Sequence, residues 1–93
     1  MDNYSLQIEE RVVKEMRSYP PKVYKQVMRR VVELQFNPRP HDSEKKGNGY
    51  TVDTGEYRIF YVVDYQKRLV KVLVVGSRND GEIYKQAKRL GLL

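Results

Sequence analysis

The sequence predicts one small α+β domain in which two helices pack on one face of a mainly antiparallel four-stranded sheet. Two runs rich in Tyr, Ile and Val lie on either side of the polar segment 64–68, which is typical of a central β-hairpin. An apolar stripe of helical period precedes them. Ninety-three residues suffice for a single core. The predicted order over residues 1–93 is strand, helix, helix, strand, strand, strand, helix.

Composition narrows the class of protein. The chain has no cysteine, so neither disulfides nor thiolate metal sites are expected. The first ten residues lack an apolar stretch of signal-peptide length, and no run approaches membrane-spanning length, so we expect a cytoplasmic protein without a membrane partner. The net charge of +6 favours a polyanionic partner, although simple solubility would also account for it.

The N-terminal third is predicted to form a strand and two helices. Apolar and polar residues alternate over 3–9, which predicts a strand with one buried face. A helix is expected from Glu9 until the segment Tyr19-Pro20-Pro21 ends it. A second helix is predicted over about 22–36, because apolar residues recur there at spacings of four, four and three. These residues are Val23, Val27, Val31 and Leu34.

The remaining elements follow a long connection. Residues 37–49 contain Pro, Gly, Asn and charged side chains and are predicted to be a loop within the same domain. A short strand at 50–53 and a tight turn at Thr54-Gly55 lead into the hairpin, whose second strand ends at Gly76. The last segment, 83–90, is predicted to be an amphipathic helix that is weakly anchored.

Several kinds of catalysis are excluded by the residues available. His41 is the one histidine, and it lies between Pro40 and Asp42 in the predicted loop. Without cysteine and with one histidine, neither a zinc site nor a cysteine–histidine dyad is plausible. A serine triad would need His41, which we expect to be solvent-exposed in this loop. The segment 46–49 does not have the spacing of a nucleotide-binding phosphate loop. We therefore expect no metal and no cofactor.

Two arginines and a tyrosine form the candidate catalytic set. Strand alternation directs Arg58 out of an otherwise apolar face, and a hairpin can bring it close to Arg78, with Tyr84 six residues further on. Two guanidinium groups beside a phenol suit a phosphate. RNA cleavage is the least demanding reaction for such residues, because RNA supplies its own 2′-hydroxyl nucleophile. The structural alternative makes Arg58 an ion-pair partner, with Glu56 expected on the same strand face, Arg78 a surface charge and Tyr84 a packing residue.

A second group of cations lies on the predicted long helix. Lys22, Lys25 and Arg29 fall on the side opposite the apolar stripe. The functional interpretation is a surface that follows a nucleic-acid backbone and binds RNA or the ribosome. The alternative is an ordinary solvated helix face.

The hairpin sequence resembles the RelE branch of the RelE/ParE toxin superfamily. The resemblance lies in the segments 50–61 (YTVDTGEYRIFY), 72–78 (VLVVGSR) and 82–84 (EIY), and the helix end at 34–38 (LQFNP) is similar too. It implies a toxin of a type II toxin-antitoxin module that cleaves mRNA in the ribosomal A site without a metal. It also implies an antitoxin that wraps the toxin in a hetero-oligomer.

The resemblance also implies residue roles. Arg58 would bind the scissile phosphate, Arg78 would stabilise or protonate the leaving group, and Tyr84 would lie near the attacking hydroxyl. The general base is left open, because family members often carry basic residues where this chain has Thr51 and Asp53. The candidates for that role are Glu56, Lys45, Lys46 and Tyr84.

Two other functions compete with a ribosome-dependent endoribonuclease. A ParE-like toxin would use the same fold to poison DNA gyrase without cleaving a nucleic acid itself. A basic RNA-binding domain would bind without catalysis. The grouping of Arg58, Arg78 and Tyr84 favours the nuclease, since a protein that only binds does not need these three around one phosphate-sized space.

Overall fold

The computed structural model describes residues 3–79 and 81–92, and we restrict every structural statement to them. Along these residues run β1 (Ser5–Ile8), α1 (Glu10–Met16), α2 (Pro21–Glu33), β2 (Glu44–Lys46), β3 (Gly49–Thr54), β4 (Tyr57–Asp64), β5 (Leu69–Ser77) and α3 (Glu82–Arg89). None of the helices described is long and apolar enough to cross a bilayer.

The strands form one mixed sheet in the order β1-β5-β4-β3-β2. The central hairpin of β4 and β5 is antiparallel, as are β3 with β4 and β2 with β3. β1 pairs with β5 in parallel, with Ser5 opposite Leu69 and Ile8 opposite Val72. The two helices α1 and α2 connect β1 at one edge of the sheet to β2 at the other edge.

One face of the sheet carries the larger core. Val12 and Met16 of α1 and Val27 and Val31 of α2 are buried in the same cluster as Ile59 of β4. The apolar stripe predicted on the second helix therefore faces the sheet. The prediction of an α+β domain with two helices on one sheet face is confirmed.

The opposite face carries a second, smaller core beneath α3. Ile83 and Ala87 are buried there against Phe60, Leu73 and Val74. The helix that we predicted to be weakly anchored thus buries two of its residues. Because residues 58, 60 and 62 of β4 alternate onto this face, α3 lies beside Arg58.

The predicted sheet lacked one strand. We predicted four strands and a loop over 37–49, but the described residues form five strands, because β2 lies within that segment. Lys46 of β2 pairs with Gly49 of β3 across a two-residue turn, in which Gly47 adopts φ 56°. A Cβ atom at Gly49 would lie 2.4 Å from the carbonyl oxygen of Tyr61, so glycine allows β3 to approach β4 here.

Candidate active site

The register between β3 and β4 places a carboxylate opposite the predicted catalytic arginine. Asp53 faces Arg58 across the pair of strands. Arg58 Nε lies 2.6 Å from Asp53 Oδ1, and Arg58 Nη2 donates to Oδ2 at 3.1 Å. The Arg58 side chain is 21% exposed and the Asp53 side chain is 37% exposed. This two-point contact fixes the plane of the guanidinium group.

The third helix brings Tyr84 to the same guanidinium group. Arg58 Nη1 donates to the Tyr84 hydroxyl oxygen at 2.8 Å. The guanidinium carbon lies 5.7 Å from the centroid of the Tyr84 ring. Ile83 anchors this turn of α3 in the smaller core and so helps to place the phenol. The Tyr84 hydroxyl hydrogen remains free to point towards a ligand, because its oxygen is the acceptor.

Arg78 reaches the group from the end of β5. Its Nη1 lies 3.9 Å from Asp53 Oδ2, and its side chain is 43% exposed. Its backbone N–H donates to the carbonyl oxygen of Glu56 at 3.0 Å, which ties the end of β5 to the β3–β4 turn. The structure therefore brings together Arg58, Arg78 and Tyr84, the three predicted catalytic residues, with Asp53 among them.

The two adjacent lysines point in different directions. Lys46 Nζ lies 5.7 Å from the Tyr84 ring centroid, so this lysine belongs to the same cluster. Lys45 Nζ lies 5.5 Å from the Tyr50 ring centroid and donates to the carbonyl oxygen of Gly47 at 3.2 Å. Because β2 is a strand, its successive side chains alternate between faces, and only Lys46 faces Arg58. We call Lys46, Asp53, Arg58, Arg78 and Tyr84 the candidate active site.

Glu56 does not pair with Arg58, and that prediction was wrong. Glu56 precedes β4 and lies in the turn, where its carboxylate accepts a hydrogen bond from Asn79 Nδ2 at 2.7 Å. Strand alternation does not apply to a turn residue, so Glu56 is not held on the face of Arg58. The ion-pair partner of Arg58 is the cross-strand residue Asp53.

The ion pair changes the protonation of both partners. The hydrogen bond from Arg58 lowers the pKa of Asp53 against an opposing effect of burial, and the charges of Arg58 and Arg78 lower it further. The same bond, with the Asp53 charge and Tyr84, raises the pKa of Arg58. At neutral pH Asp53 is therefore a carboxylate and Arg58 a cation.

The geometry leaves capacity for an anion. A guanidinium group has five N–H donors, and Asp53 and Tyr84 accept three of those of Arg58. Two donors of Arg58 thus remain, and the half-exposed Arg78 lies beside them. Asp42 and Glu44 line a concavity beside Asp53 and Arg58, and Asp42 pairs with Arg30. Within the candidate active site itself, Arg58 and Arg78 outnumber Asp53 even when Lys46 is neutral, so positive charge is in excess there. Such an arrangement can bind a phosphate and stabilise charge that develops on it.

Sequence reasoning missed the role of Asp53. A signal was present, because a tight turn centred on Gly55 and Glu56 pairs Thr54 with Tyr57 and then Asp53 with Arg58. We considered Asp53 only as a departure from the pattern of the family. Counting residues outwards from the turn would have identified it as the partner of Arg58.

The predicted RNA-binding cations lie away from this cluster. Lys22, Lys25 and Arg29 are exposed on α2 and line a concavity of about 500 Å³. Gln26, Arg30, Glu33 and Thr54 complete its lining. Thr54 directly follows Asp53 at the end of β3, so the concavity reaches the strand end next to the candidate active site.

Both the sequence and the fold of this chain are similar to those of known toxins. No protein-family model matches the chain. The mRNA interferase toxin RelE of Escherichia coli K12 is 32% identical over 88 residues, which cover 90% of this chain and 93% of that protein. A variant of the E. coli RelE toxin in the free state superposes with a TM-score of 0.77 at 29% identity, covering 95% of this chain and 97% of the other.

A complex is also among the similar structures. The archaeal RelE–RelB complex from Pyrococcus horikoshii OT3 matches with a TM-score of 0.73 and 26% identity, over 84% of this chain and 98% of the matched chain. The fold is thus that of a class of small α+β toxins. The chain belongs to the RelE toxin family.

Proposed function

We propose that this chain is the toxin of a type II toxin-antitoxin module and that it cleaves mRNA in the ribosomal A site, which inhibits translation. The observation that supports this most is the grouping of Arg58, Arg78 and Tyr84 around one carboxylate. Family membership supports the toxin class, and the E. coli relative is named an mRNA interferase. Because the proposed target is the ribosome, the chain would act in the cytoplasm.

The proposed reaction uses the nucleophile of the substrate and needs neither a metal nor a cofactor. The 2′-oxygen of one nucleotide attacks the adjacent phosphorus, and the bond from phosphorus to the 5′-oxygen breaks. The products are a 2′,3′-cyclic phosphate and a free 5′-hydroxyl. One proton leaves the 2′-hydroxyl and one is added to the departing 5′-oxygen. The protein must position the phosphate, stabilise its extra negative charge and move these protons.

The roles follow from the positions of the side chains. Arg58 is held in place by Asp53 and presents its two remaining donors to the non-bridging oxygens of the phosphate. Arg78 is more exposed and stabilises the leaving oxygen or protonates it. Tyr84 uses its hydroxyl hydrogen, left available by the bond from Arg58, to orient the attacking hydroxyl.

Lys46 is the base candidate that the geometry favours. It lies beside the Tyr84 ring, whereas Lys45 lies over Tyr50 and Glu56 is bound by Asn79. A primary amine that has lost its proton can accept the proton of the 2′-hydroxyl. Placement on a strand, rather than in the flexible loop that we predicted, makes Lys46 better positioned for this role.

Two partners complete the proposal. An antitoxin binds the chain and silences it in a hetero-oligomer, as supported by the similarity to the P. horikoshii RelE–RelB complex. The ribosome and its mRNA are the second partner. Lys22, Lys25 and Arg29 contact the RNA backbone through the concavity on α2.

The proposal is tested by mapping mRNA ends and DNA synthesis after brief induction of the chain in bacteria, with Arg58→Ala as the matched control. We expect new 5′-hydroxyl ends at A-site codons with the wild-type chain and few with the control. Arrested DNA replication without such ends would instead indicate a ParE-like gyrase poison. If folded protein at high expression causes neither effect, the chain is a binding domain without catalysis and the proposal is contradicted.

A further inference from the structure

A second cluster of aromatic and basic side chains lies outside the candidate active site. The rings of Tyr4 and Tyr65 meet edge to face with centroids 6.3 Å apart. The hydroxyl groups of Tyr65 and Tyr50 lie 3.4 Å apart. Tyr4 and Tyr50 pack one side against the larger core, whereas Tyr65 is 49% exposed. Three tyrosines thus form a continuous row whose two outer members are fixed by the core.

Cations lie over the rings of this row. The Arg39 guanidinium carbon is 5.4 Å and Lys45 Nζ is 5.5 Å from the Tyr50 ring centroid. The Arg68 guanidinium carbon is 5.6 Å from the Tyr4 ring centroid. Neither Arg39 nor Lys45 forms an ion pair with any carboxylate of residues 3–79. We call Tyr4, Arg39, Lys45, Tyr50, Tyr65 and Arg68 the tyrosine surface.

The backbone at Arg68 points to a role for its side chain. Arg68 adopts φ 51° at the end of the β4–β5 turn, in the left-handed region that costs an L-residue about 1 kcal/mol or more. Glycine would satisfy the turn without that cost, and the Arg68 carbonyl could still accept its bond from the Ser5 N–H. The turn geometry alone does not require an arginine, and the Arg68 side chain contacts the Tyr4 ring.

The tyrosine surface is remote from the candidate active site. Tyr50 pairs with Tyr61, whose ring belongs to the larger core, so this row lies on the sheet face opposite Arg58. Tyr61, which lies opposite Tyr50, is three residues from Arg58 along β4, or roughly 10 Å at the usual rise of a strand. Asp64, which precedes Tyr65, is six residues or roughly 20 Å away from Arg58. A ligand on the tyrosine surface would therefore not occupy the site of cleavage.

We propose that the tyrosine surface binds an unpaired RNA strand, with a base stacked on the exposed ring of Tyr65 and phosphates held by Arg39, Lys45 and Arg68. Aromatic rings alternating with cations are the usual means of binding single strands without sequence preference. The choice of RNA as the polymer rests on the proposed function. The stacking itself does not depend on cleavage.

The test measures the affinity of the full chain for a short fluorescein-labelled oligouridylate, in an Arg58→Ala background that prevents cleavage. Tyr65→Ala is expected to raise the Kd about tenfold or more, whereas Tyr65→Phe, which keeps the ring, should bind as the parent does. With an abasic oligonucleotide of equal length, Tyr65→Ala should cause no loss. Unchanged binding by Tyr65→Ala, or an equal loss with the abasic strand, would overturn the proposal.

Arg68→Gly gives an independent measurement. It should weaken oligouridylate binding severalfold while leaving the melting temperature unchanged or raised, because glycine relieves the backbone. Lys67→Gln removes one charge from the same turn and is the control that should bind nearly as the parent does. If Lys67→Gln weakens binding as much as Arg68→Gly does, only net charge matters and the proposal fails.

Ribosome pelleting distinguishes the source of the strand. A loss by Tyr65→Ala on vacant ribosomes assigns the surface to ribosomal RNA, and a loss only on mRNA-programmed ribosomes assigns it to mRNA. Normal RNA binding with lost antitoxin binding would assign the surface to a protein partner and contradict the proposal. If the wild-type chain cleaves mRNA but Tyr65→Ala has no effect on RNA binding, the proposed function stands and only the RNA-binding role of the tyrosine surface is contradicted.

Discussion

Asp53 occupies the Nε–Nη2 edge of Arg58, with its Oδ1 2.6 Å from Nε and its Oδ2 3.1 Å from Nη2. The arginine that we propose as the phosphate ligand is therefore oriented before any RNA binds. The same carboxylate lies 3.9 Å from Arg78 Nη1, so it also reduces the repulsion between the two arginines. Asp53 is thus expected to act through Arg58 and Arg78 rather than on the RNA.

Asp53→Asn should separate binding from catalysis. Removing one negative charge beside the phosphate is expected to lower the KM for mRNA-programmed ribosomes a few-fold. The loss of a charged partner lets Arg58 leave its orientation, so kcat should fall roughly tenfold. Steady-state cleavage assays measure both constants.

A double-mutant cycle gives the control for Asp53. If Asp53 acts through Arg58, Asp53→Asn should cause almost no further loss of kcat in an Arg58→Ala background. A full additional loss there would assign Asp53 a direct role on the substrate and contradict the positioning role.

The lowered pKa of Asp53 also predicts a pH dependence of stability. A carboxyl group whose pKa is lower in the folded state stabilises that state above its unfolded pKa of about 3.9, and the contribution disappears as the pH falls through the folded pKa. Wild type should therefore exceed Asp53→Asn in free energy of unfolding near pH 7, by less than about 1 kcal/mol because the pair is partly exposed. Denaturant titrations should show this difference closing in acid.

An exposed carboxylate serves as the control. Glu10 pairs with Lys14 at 3.6 Å on the surface of α1, where its side chain is 85% exposed. Glu10→Gln should show almost no difference from wild type at either pH. If the Asp53→Asn difference stayed constant down to pH 2, the ion pair with Arg58 would not be its origin.

The elements with a clear side-chain period were predicted correctly from the sequence, whereas the features that depend on strand pairing were missed. The stripe from Val23 to Leu34 and the β4–β5 hairpin follow from side-chain periods that a sequence displays. β2 consists of Glu44, Lys45 and Lys46, which have no apolar alternation, and it becomes a strand only through pairing with β3. The parallel pairing of β1 with β5 likewise depends on partners far apart in the chain.

In the candidate active site, too, some features could be predicted from the sequence and others depend on strand pairing. Residue type and order predicted Arg58, Arg78 and Tyr84 as candidate catalytic residues, and the structure brings Arg58 into contact with Tyr84 and close to Arg78 through Asp53. Strand register decided the rest, since it placed Asp53 rather than Glu56 beside Arg58. It also directed Lys46 towards Tyr84 and Lys45 away from it.

Neighbouring residues of α3 should separate stability from activity. Ile83 is buried in the smaller core, so Ile83→Ala is expected to lower the free energy of unfolding by about 2–4 kcal/mol. Tyr84→Phe keeps the ring and should change stability little while lowering cleavage, because only the hydroxyl group is lost. Thermal melts and single-turnover cleavage measure the two effects. A Tyr84→Phe protein that cleaves at the wild-type rate would remove the phenol from the mechanism.

The cations on α2 should contribute affinity without catalysis. Changing Lys22, Lys25 and Arg29 together to Ala should weaken ribosome association and reduce its log–log salt slope by about 2–3 units, if each contacts one phosphate. The exposed Arg17 lies at the end of α1, outside the concavity on α2. Arg17→Ala is therefore the control for the loss of a positive charge outside that concavity. A salt slope equal to that of wild type would make this helix face an ordinary solvated surface.

Single-turnover cleavage of mRNA on programmed ribosomes by Arg58→Ala tests the central claim most directly. Arg58 stabilises charge that grows in the transition state, so the rate should fall by about 10² to 10³ while ribosome affinity changes little. The protein should remain folded, because Arg58 lies outside both cores and Arg78 still faces Asp53. A folded Arg58→Ala protein that cleaves mRNA at the wild-type rate would contradict the account.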